Sequence, residues 1–254
     1  MSKTTKGHQF VDAFSDTAER YAEHRPTYPK CLFSSLASLA PATEFAWDCG
    51  TGNGQAAVGL AEVFDSVVAT DASAEQIANA RPHPRVRYRA TPAEASGLVD
   101  ESMDLISVAQ ALHWFDLDRF FAEVRRIARP RALIAIYGYS WFYLTPPLDV
   151  LTDQFLLRPV QSYWSANNEL LWHEYRTIDF PFEEVVPPRL AIHLTWTLDQ
   201  LFDYYLTWSA PRRKIAAEGD GFIVEARQAF ELAWGASPSR HVVMPLTVRL
   251  GKLT

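Results

Sequence analysis

Three observations predict an α/β fold with a doubly wound, mostly parallel sheet. A glycine-rich turn follows an apolar run at residues 45–54, an acidic residue closes the next apolar run, and strands alternate with helices as far as residue 139. In the first of these, Phe45, Ala46 and Trp47 lead into Asp48-Cys49-Gly50-Thr51-Gly52-Asn53-Gly54. Glycine at alternate positions describes a strand entering a tight turn, whose backbone can press against a ligand because no Cβ intervenes. The stretch Gln55 to Glu62 suits a helix, and the β-branched run Ser66 to Thr70 ends at Asp71, which completes a βαβ unit.

The remaining elements follow in order. Ser73 and Gln76 have the spacing of a capping box, so a second helix begins there and ends before Pro82 and Pro84. Arg85 to Ala90 alternates as a third strand, and Met103 to Ala109 is the near-continuous apolar run of a strand buried on both faces. Leu117, Phe120, Phe121, Val124 and Ile127 recur at helical spacing. Asp116 is placed to cap that helix, and Arg125, Arg126 and Arg129 lie near the negative end of its dipole. Pro130 stops it, and Ala132 to Tyr139 reads as strand five. In such a sheet the ligand lies at the carboxyl ends of the strands, just after Trp47, Thr70, Ala90, Ala109 and Tyr137.

Beyond Ser140 the βα rhythm breaks. A helix is expected from Leu148 to Trp164 and a sixth strand from Arg189 to Trp196. Thr197 and Gln200 form another capping box opening a helix to Trp208, Phe222 to Trp234 reads as the last helix, and His241 to Leu250 as the final strand. Trp141, Trp164, Trp172, Trp196 and Trp208 all fall in this part. Such aromatic loading beside a cleft suits a lid that excludes water.

Composition excludes several classes. No apolar run reaches 18 residues and the stretch Met1 to His8 has no apolar core, so neither a membrane span nor a signal peptide is expected, and the cytoplasm is the expected location. Cys31 and Cys49 give neither a disulfide framework nor a metal spacing, and no metal is expected. The net charge of −6 argues against nucleic acid as a partner and favours a small-molecule substrate. Nothing in the sequence sets the oligomeric state. The 254 residues are expected to form a single domain with an N-terminal cap segment at 8–40 and an aromatic insertion at about 141–188.

The glycine spacing narrows the ligand. A dinucleotide fingerprint needs glycine or alanine where Gln55 stands, and a phosphate-binding P-loop needs a lysine that the loop lacks. The remaining pattern, Asp48 two residues before Gly-x-Gly-x-Gly with Asp71 after the second strand, resembles motif I of the class I S-adenosylmethionine-dependent methyltransferases. That resemblance implies a Rossmann-like, doubly wound seven-stranded sheet whose last strand is antiparallel. It implies that Asp48, Gly50, Thr51 and Gly52 face the methionine part of the cofactor, and that Asp71 with Ala72 meets the ribose. Ala93 and Glu94 fall near the adenine, with Pro92 where an aspartate is common, and Gln110 follows strand four.

The stretch Gln110-Ala-Leu-His-Trp-Phe-Asp116 and the helix after it look like the methyltransferase type 11 branch that includes trans-aconitate methyltransferase-like proteins. That branch usually continues Arg/Lys-Pro-Gly-Gly; here Arg129-Pro130-Arg131-Ala132 must turn without glycine. Phe14 to Tyr21 and Arg25 to Pro29 resemble its N-terminal segment, which implies that Arg25 pairs with the methionine carboxylate and Tyr21 borders the reactive methyl. The implied reaction is methyl transfer to a small molecule, with a carboxylate as the acceptor the branch points to. Arg158, Arg176, Arg212 and Arg213 are candidates to orient it, and His113 is the candidate general base if the acceptor carries a proton. A nicotinamide-dependent oxidoreductase shares the loop and Asp71 and stays open, as does a non-catalytic S-adenosylmethionine-binding protein.

Overall fold

The computed structural model describes residues 25–253; Tyr21 and the first part of the expected cap segment lie outside the described residues. In chain order the leading elements are α1 (Lys30–Leu39), β1 (Phe45–Cys49), α2 (Gln55–Ala61), β2 (Ser66–Asp71), α3 (Ala74–Ala78), β3 (Val86–Ala90), β4 (Met103–Ala109), α4 (Leu117–Ile127) and β5 (Ala128–Gly138). The second part holds α5 (Pro146–Leu151), α6 (Asn168–Trp172), β6 (Glu183–Val185), β7 (Ala191–Trp196), α7 (Leu198–Leu206), α8 (Ser209–Glu218), α9 (Gly221–Trp234), β8 (Arg240–Pro245) and β9 (Thr247–Lys252). Seven strands form one sheet in the order β3-β2-β1-β4-β5-β9-β6, parallel from β3 to β5, with β9 antiparallel to both its neighbours. This is the Rossmann-like, mostly parallel sheet that the sequence predicts.

Both faces of the sheet are buried, which explains why its central strands read as continuous apolar runs. Ala46, Val67, Ala69, Leu105, Leu133 and Ala135 face one core, packed with Leu32, Leu36 and Leu60 from α1 and α2. Their neighbours Trp47, Cys49, Val68, Ile106, Val108, Ile134 and Ile136 face the other, with Phe120, Val124 and Ile127 from α4. Full burial of a side chain such as Phe120 contributes about 1.5–3 kcal/mol. Helix α4 begins where expected: Asp116 Oδ1 accepts the backbone N–H of Arg119 at 3.3 Å, and Arg126 pairs with Glu123 and Asp100 on its outer side.

The second half departs from expectation in four places. The sixth strand of the sheet is the short edge strand β6; β7, expected there, lies after Pro187 and Pro188 and pairs with β8 in a separate two-stranded ribbon. The expected final strand is two strands, because the chain changes sheets at Leu246, whose N–H bonds to Leu190 O. The expected helix from Leu148 to Trp164 is α-helical only in α5, then widens into a π-helical stretch at Thr152–Leu157 and tightens to a 3-10 helix at Arg158–Tyr163. Pro159 in that last stretch has no N–H to continue the α-helical ladder. Helix α8 was not expected at all; its sequence SAPRRKIAAE carries little amphipathic pattern.

Two smaller differences concern turns. Helix α4 ends at Ile127 and Pro130 already lies within β5. The glycine-free turn there is made by Arg131 in the left-handed region, φ 65°, with its N–H bonded to Leu253 O at 3.0 Å. No helix among the described residues is long and apolar enough to cross a membrane.

Candidate active site

Strand register brings the ends of the central strands level: Cys49 pairs with Thr70, Asp71 with Ala90, and Ala109 with Tyr137. Above these ends lies a cleft of about 420 Å³. Arg25, Gly50, Thr51, Gly52, Asp71, Ala72, Ala93, Glu94 and Gln110, all singled out in the sequence, line it together. Asp48 and His113 do not.

The glycine loop is held from two sides. Thr51 N–H donates to Thr70 O, and Gly52 N–H donates to Asp71 Oδ2, both at 2.9 Å; the other oxygen, Asp71 Oδ1, accepts Ser73 N–H at 2.9 Å. Asp71 therefore ties the first loop to the second and still presents lone pairs to the cleft. Gly50 sits at φ 68°, and a Cβ there would lie 2.5 Å from Ala111 Cβ, so no other residue fits without a shift.

Asp48 stands behind the loop, with no exposed surface. Its carboxylate accepts the Thr51 hydroxyl at 2.6 Å and the Ser107 hydroxyl at 3.1 Å, and Ser107 is also 2.8 Å from Tyr137 OH. Burial pushes its carboxyl up to about 6 against the lowering effect of the hydroxyls. Asp48 thus fixes the turn from beneath through Thr51.

The cleft's far wall is Thr91, Pro92, Ala93 and Glu94. Glu94 Oε1 is committed to the N–H of Asp116 at 2.9 Å. Thr91 Oγ1 is buried with no partner among the described residues, an orphaned donor and acceptor on the wall of the cleft. A glycine cradle that a Cβ would fill, a carboxylate at the β2 end and that hydroxyl fit a nucleoside-bearing ligand of the size of S-adenosylmethionine.

Thr91, in the loop after strand three that the resemblance places near the adenine, and Trp114, in the stretch after strand four, also line the cleft, together with Tyr28, Phe115 and Tyr139, which no motif singles out as site residues. Phe115 lies in the Gln110 to Asp116 stretch after strand four, and Tyr139 lies just past the strand-five end that the topology marks, so position alone points to both. Tyr28 lies in the Arg25 to Pro29 stretch that resembles the family's N-terminal segment, and its ring meets Tyr137 edge-on at 5.0 Å.

A second cavity of about 280 Å³ adjoins the first, and Arg25, Gln110, Trp114 and Tyr139 line both. Gln110, at the junction, holds a left-handed backbone at φ 58°, fixed by its N–H to Tyr137 O and its side-chain amide to Tyr139 O, both at 2.9 Å. Backbone strain of this kind persists where surrounding structure over-determines it. His113 lines this second cavity, buried, with Nδ1 3.4 Å from Tyr175 OH. Burial lowers its imidazole to about 4, so it is neutral and a weak base at pH 7.

Of the four candidate arginines, only Arg212 reaches the cavity. Arg158 pairs with Asp153, Arg176 with Glu174, and Arg213 bonds Tyr163 O. Trp141, Trp164, Trp172 and Trp208 also line it, whereas Trp196 packs away on Phe142 and Tyr204.

Residues 47–136 match the methyltransferase domain family, type 11. A Dictyostelium discoideum protein named as a methyltransferase is 30% identical over 252 residues, 96% of each chain. A Saccharomyces cerevisiae protein named as an S-adenosylmethionine-dependent methyltransferase is 30% identical over 135 residues, 50% of this chain and 45% of its own. A solved structure from Anaeromyxobacter dehalogenans, named as a type II methyltransferase, is 41% identical, covers 90% of this chain and 97% of its own, and superposes with a TM-score of 0.86. These findings remove the nicotinamide-dependent alternative. A relative 30% identical along 96% of the chain, on a seven-stranded sheet with β9 antiparallel, leaves one conclusion: the chain belongs to the methyltransferase family, and it is an S-adenosylmethionine-dependent enzyme.

Proposed function

We propose that the methyl acceptor is a small molecule whose nucleophile is a carboxylate, the acceptor that the likeness to trans-aconitate methyltransferase-like proteins implies. One observation carries this reading: the second cavity is lined by Arg25 and Arg212 and, among the described residues, by no aspartate or glutamate. A carboxylate is nucleophilic as it stands, so the weak basicity of His113 is no handicap.

The cofactor, when bound, supplies a methyl group already activated on a sulfonium. Gly50, Thr51, Gly52 and Asp71 would hold it in the first cavity, and Arg25 at the junction would pair with its methionine carboxylate. Ala72, Ala93 and Glu94 border the nucleoside, Gln110 the reacting end, and Asp48 keeps the loop in shape. Arg212 holds one oxygen of the acceptor and leaves the other to attack. With the methyl donor bound, attack by the free carboxylate oxygen would yield a methyl ester and release a neutral thioether, with no proton for any residue of the chain to move. Alignment of this kind supplies about 7–11 kcal/mol.

Residues 141–188 act as a lid over this chamber in the same reading, 8–40 as a cap, and 1–254 as one domain. The net charge of −6 supports a reading without nucleic acid as partner; a cytoplasmic location with no membrane partner belongs to the same proposal. Isotope-labelled methyl transfer into a metabolite extract tests the acceptor: the labelled product is expected to be a base-labile methyl ester. Arg212→Gln should raise the acceptor KM by about 10-fold, the loss of one charged hydrogen bond, with cofactor affinity unchanged. A base-stable N- or S-methyl product would end the carboxylate reading.

A further inference from the structure

Four tryptophans far apart in sequence form one wall of the second cavity. Trp141 follows β5, Trp164 ends the 3-10 stretch, Trp172 closes α6 and Trp208 precedes α8. Trp141 lies 5.6 Å from Trp172 at an interplanar angle of 30°, 5.8 Å from Trp208 and 6.1 Å from Trp164. Trp164 in turn meets Trp172 at 5.6 Å and Trp208 at 5.7 Å. Each indole is braced by at least two others, so the wall is set before any ligand arrives.

Indole faces exposed to a cavity attract two kinds of guest, a cation or another flat π-system in offset stacking. Arg212 on the same cavity, with no carboxylate among the cavity's described lining residues, repels the cation. The volume, about 280 Å³, is just under the usual small-molecule range of roughly 300–1,000 Å³ and suits a single ring. Arg212 is the one guanidinium available to the acceptor once Arg25 serves the cofactor, which matches a single negative charge.

We infer that the acceptor chamber is built for a single-ring aryl monocarboxylate, its ring against the tryptophan wall and its carboxylate on Arg212. This rests on the carboxylate reading above, and names the class of acid within it.

Calorimetric titration in the presence of S-adenosylhomocysteine, alongside labelled methyl transfer, tests it with benzoate and cinnamate against cyclohexanecarboxylate, 3-cyclohexylpropanoate, trans-aconitate and benzylamine. The aryl acids are expected to bind at least 10-fold more tightly than their saturated counterparts. Trp172→Leu should erase that preference, Trp172→Phe should keep part of it, and neither should move cofactor affinity. Equal affinity for aryl and saturated acids, tighter binding of trans-aconitate, or a preference that survives Trp172→Leu would overturn the aryl class and leave the carboxylate reading standing. Tightest binding of benzylamine, or no binding of any acid, would overturn both.

Discussion

The two cavities are built in opposite ways. The cofactor cleft comes from short loops after neighbouring parallel strands, held by backbone N–H groups bonded within the loop or to the end of the adjoining strand: Thr51 to Thr70 O, Gly52 and Ser73 to the Asp71 carboxylate. The acceptor chamber takes its wall from four separate segments between Trp141 and Trp208, with Arg212 contributed by a helix further on. A cleft made by local geometry is fragile at single positions. A wall of mutually braced side chains is instead tolerant of shape changes and sensitive to charge and π-surface.

The largest expected effect breaks the cleft alone. Gly50→Ala adds a Cβ 2.5 Å from Ala111 Cβ at φ 68°, so left-handed strain and overpacking together should cost about 2–5 kcal/mol. Cofactor titration should show weakening of 100-fold or more, while a ligand of the acceptor chamber binds as before; unchanged cofactor affinity would refute the cradle.

Asp48 comes next, and its signature is pH. Its folded value of about 6 lies above the ordinary 3.8, so the folded chain keeps a proton that the unfolded chain has lost. Stability from this group is therefore full below about pH 4 and declines as pH rises through 6, by about 3 kcal/mol for a shift near two units. His113 works with the opposite sign, because its value falls from 6.5 to about 4 and folding excludes a proton between those limits. Denaturant melts of wild type and Asp48→Asn from pH 4 to 8 isolate the Asp48 contribution as the difference between the two curves. A constant difference would mean that Asp48 is not desolvated.

Asp71→Ala should weaken the cofactor by about 1–3 kcal/mol, since it removes a charged acceptor and the tie between two loops. Calorimetry that finds no change would remove the ribose assignment. The smallest effect sharpens the comparison on the other side: His113→Gln should leave turnover within a few-fold of wild type, because positioned bases contribute roughly 10²–10⁴-fold and a carboxylate acceptor needs none. Single-turnover rates that drop by about two orders of magnitude or more would restore His113 as the base.

Legibility followed the same divide. The βαβ units, the Asp116 cap and the Thr197–Gln200 capping box were readable because their signals are short-range patterns of glycine, capping side chains and apolar period. Ser73 does accept Gln76 N–H at 3.2 Å, but α3 is only five residues long. The errors cluster after Ser140, where edge strands of a few residues and a helix interrupted by Pro159 carry weak periodicity. Strand β7 has a proper strand sequence; only pairing with β8, about 50 residues away, decides that it leaves the main sheet.

The sequence by itself determined the parallel sheet, the glycine turn and the acid that braces it, because each depends on residues adjacent in the chain or one strand apart. Tertiary structure decided which of four arginines meets the chamber, that Asp48 lies beneath the loop, that His113 is buried and neutral, and that four of five tryptophans share one wall. Those outcomes depend on packing between distant segments, and neither charge nor side-chain type encodes which distant segment a residue will meet.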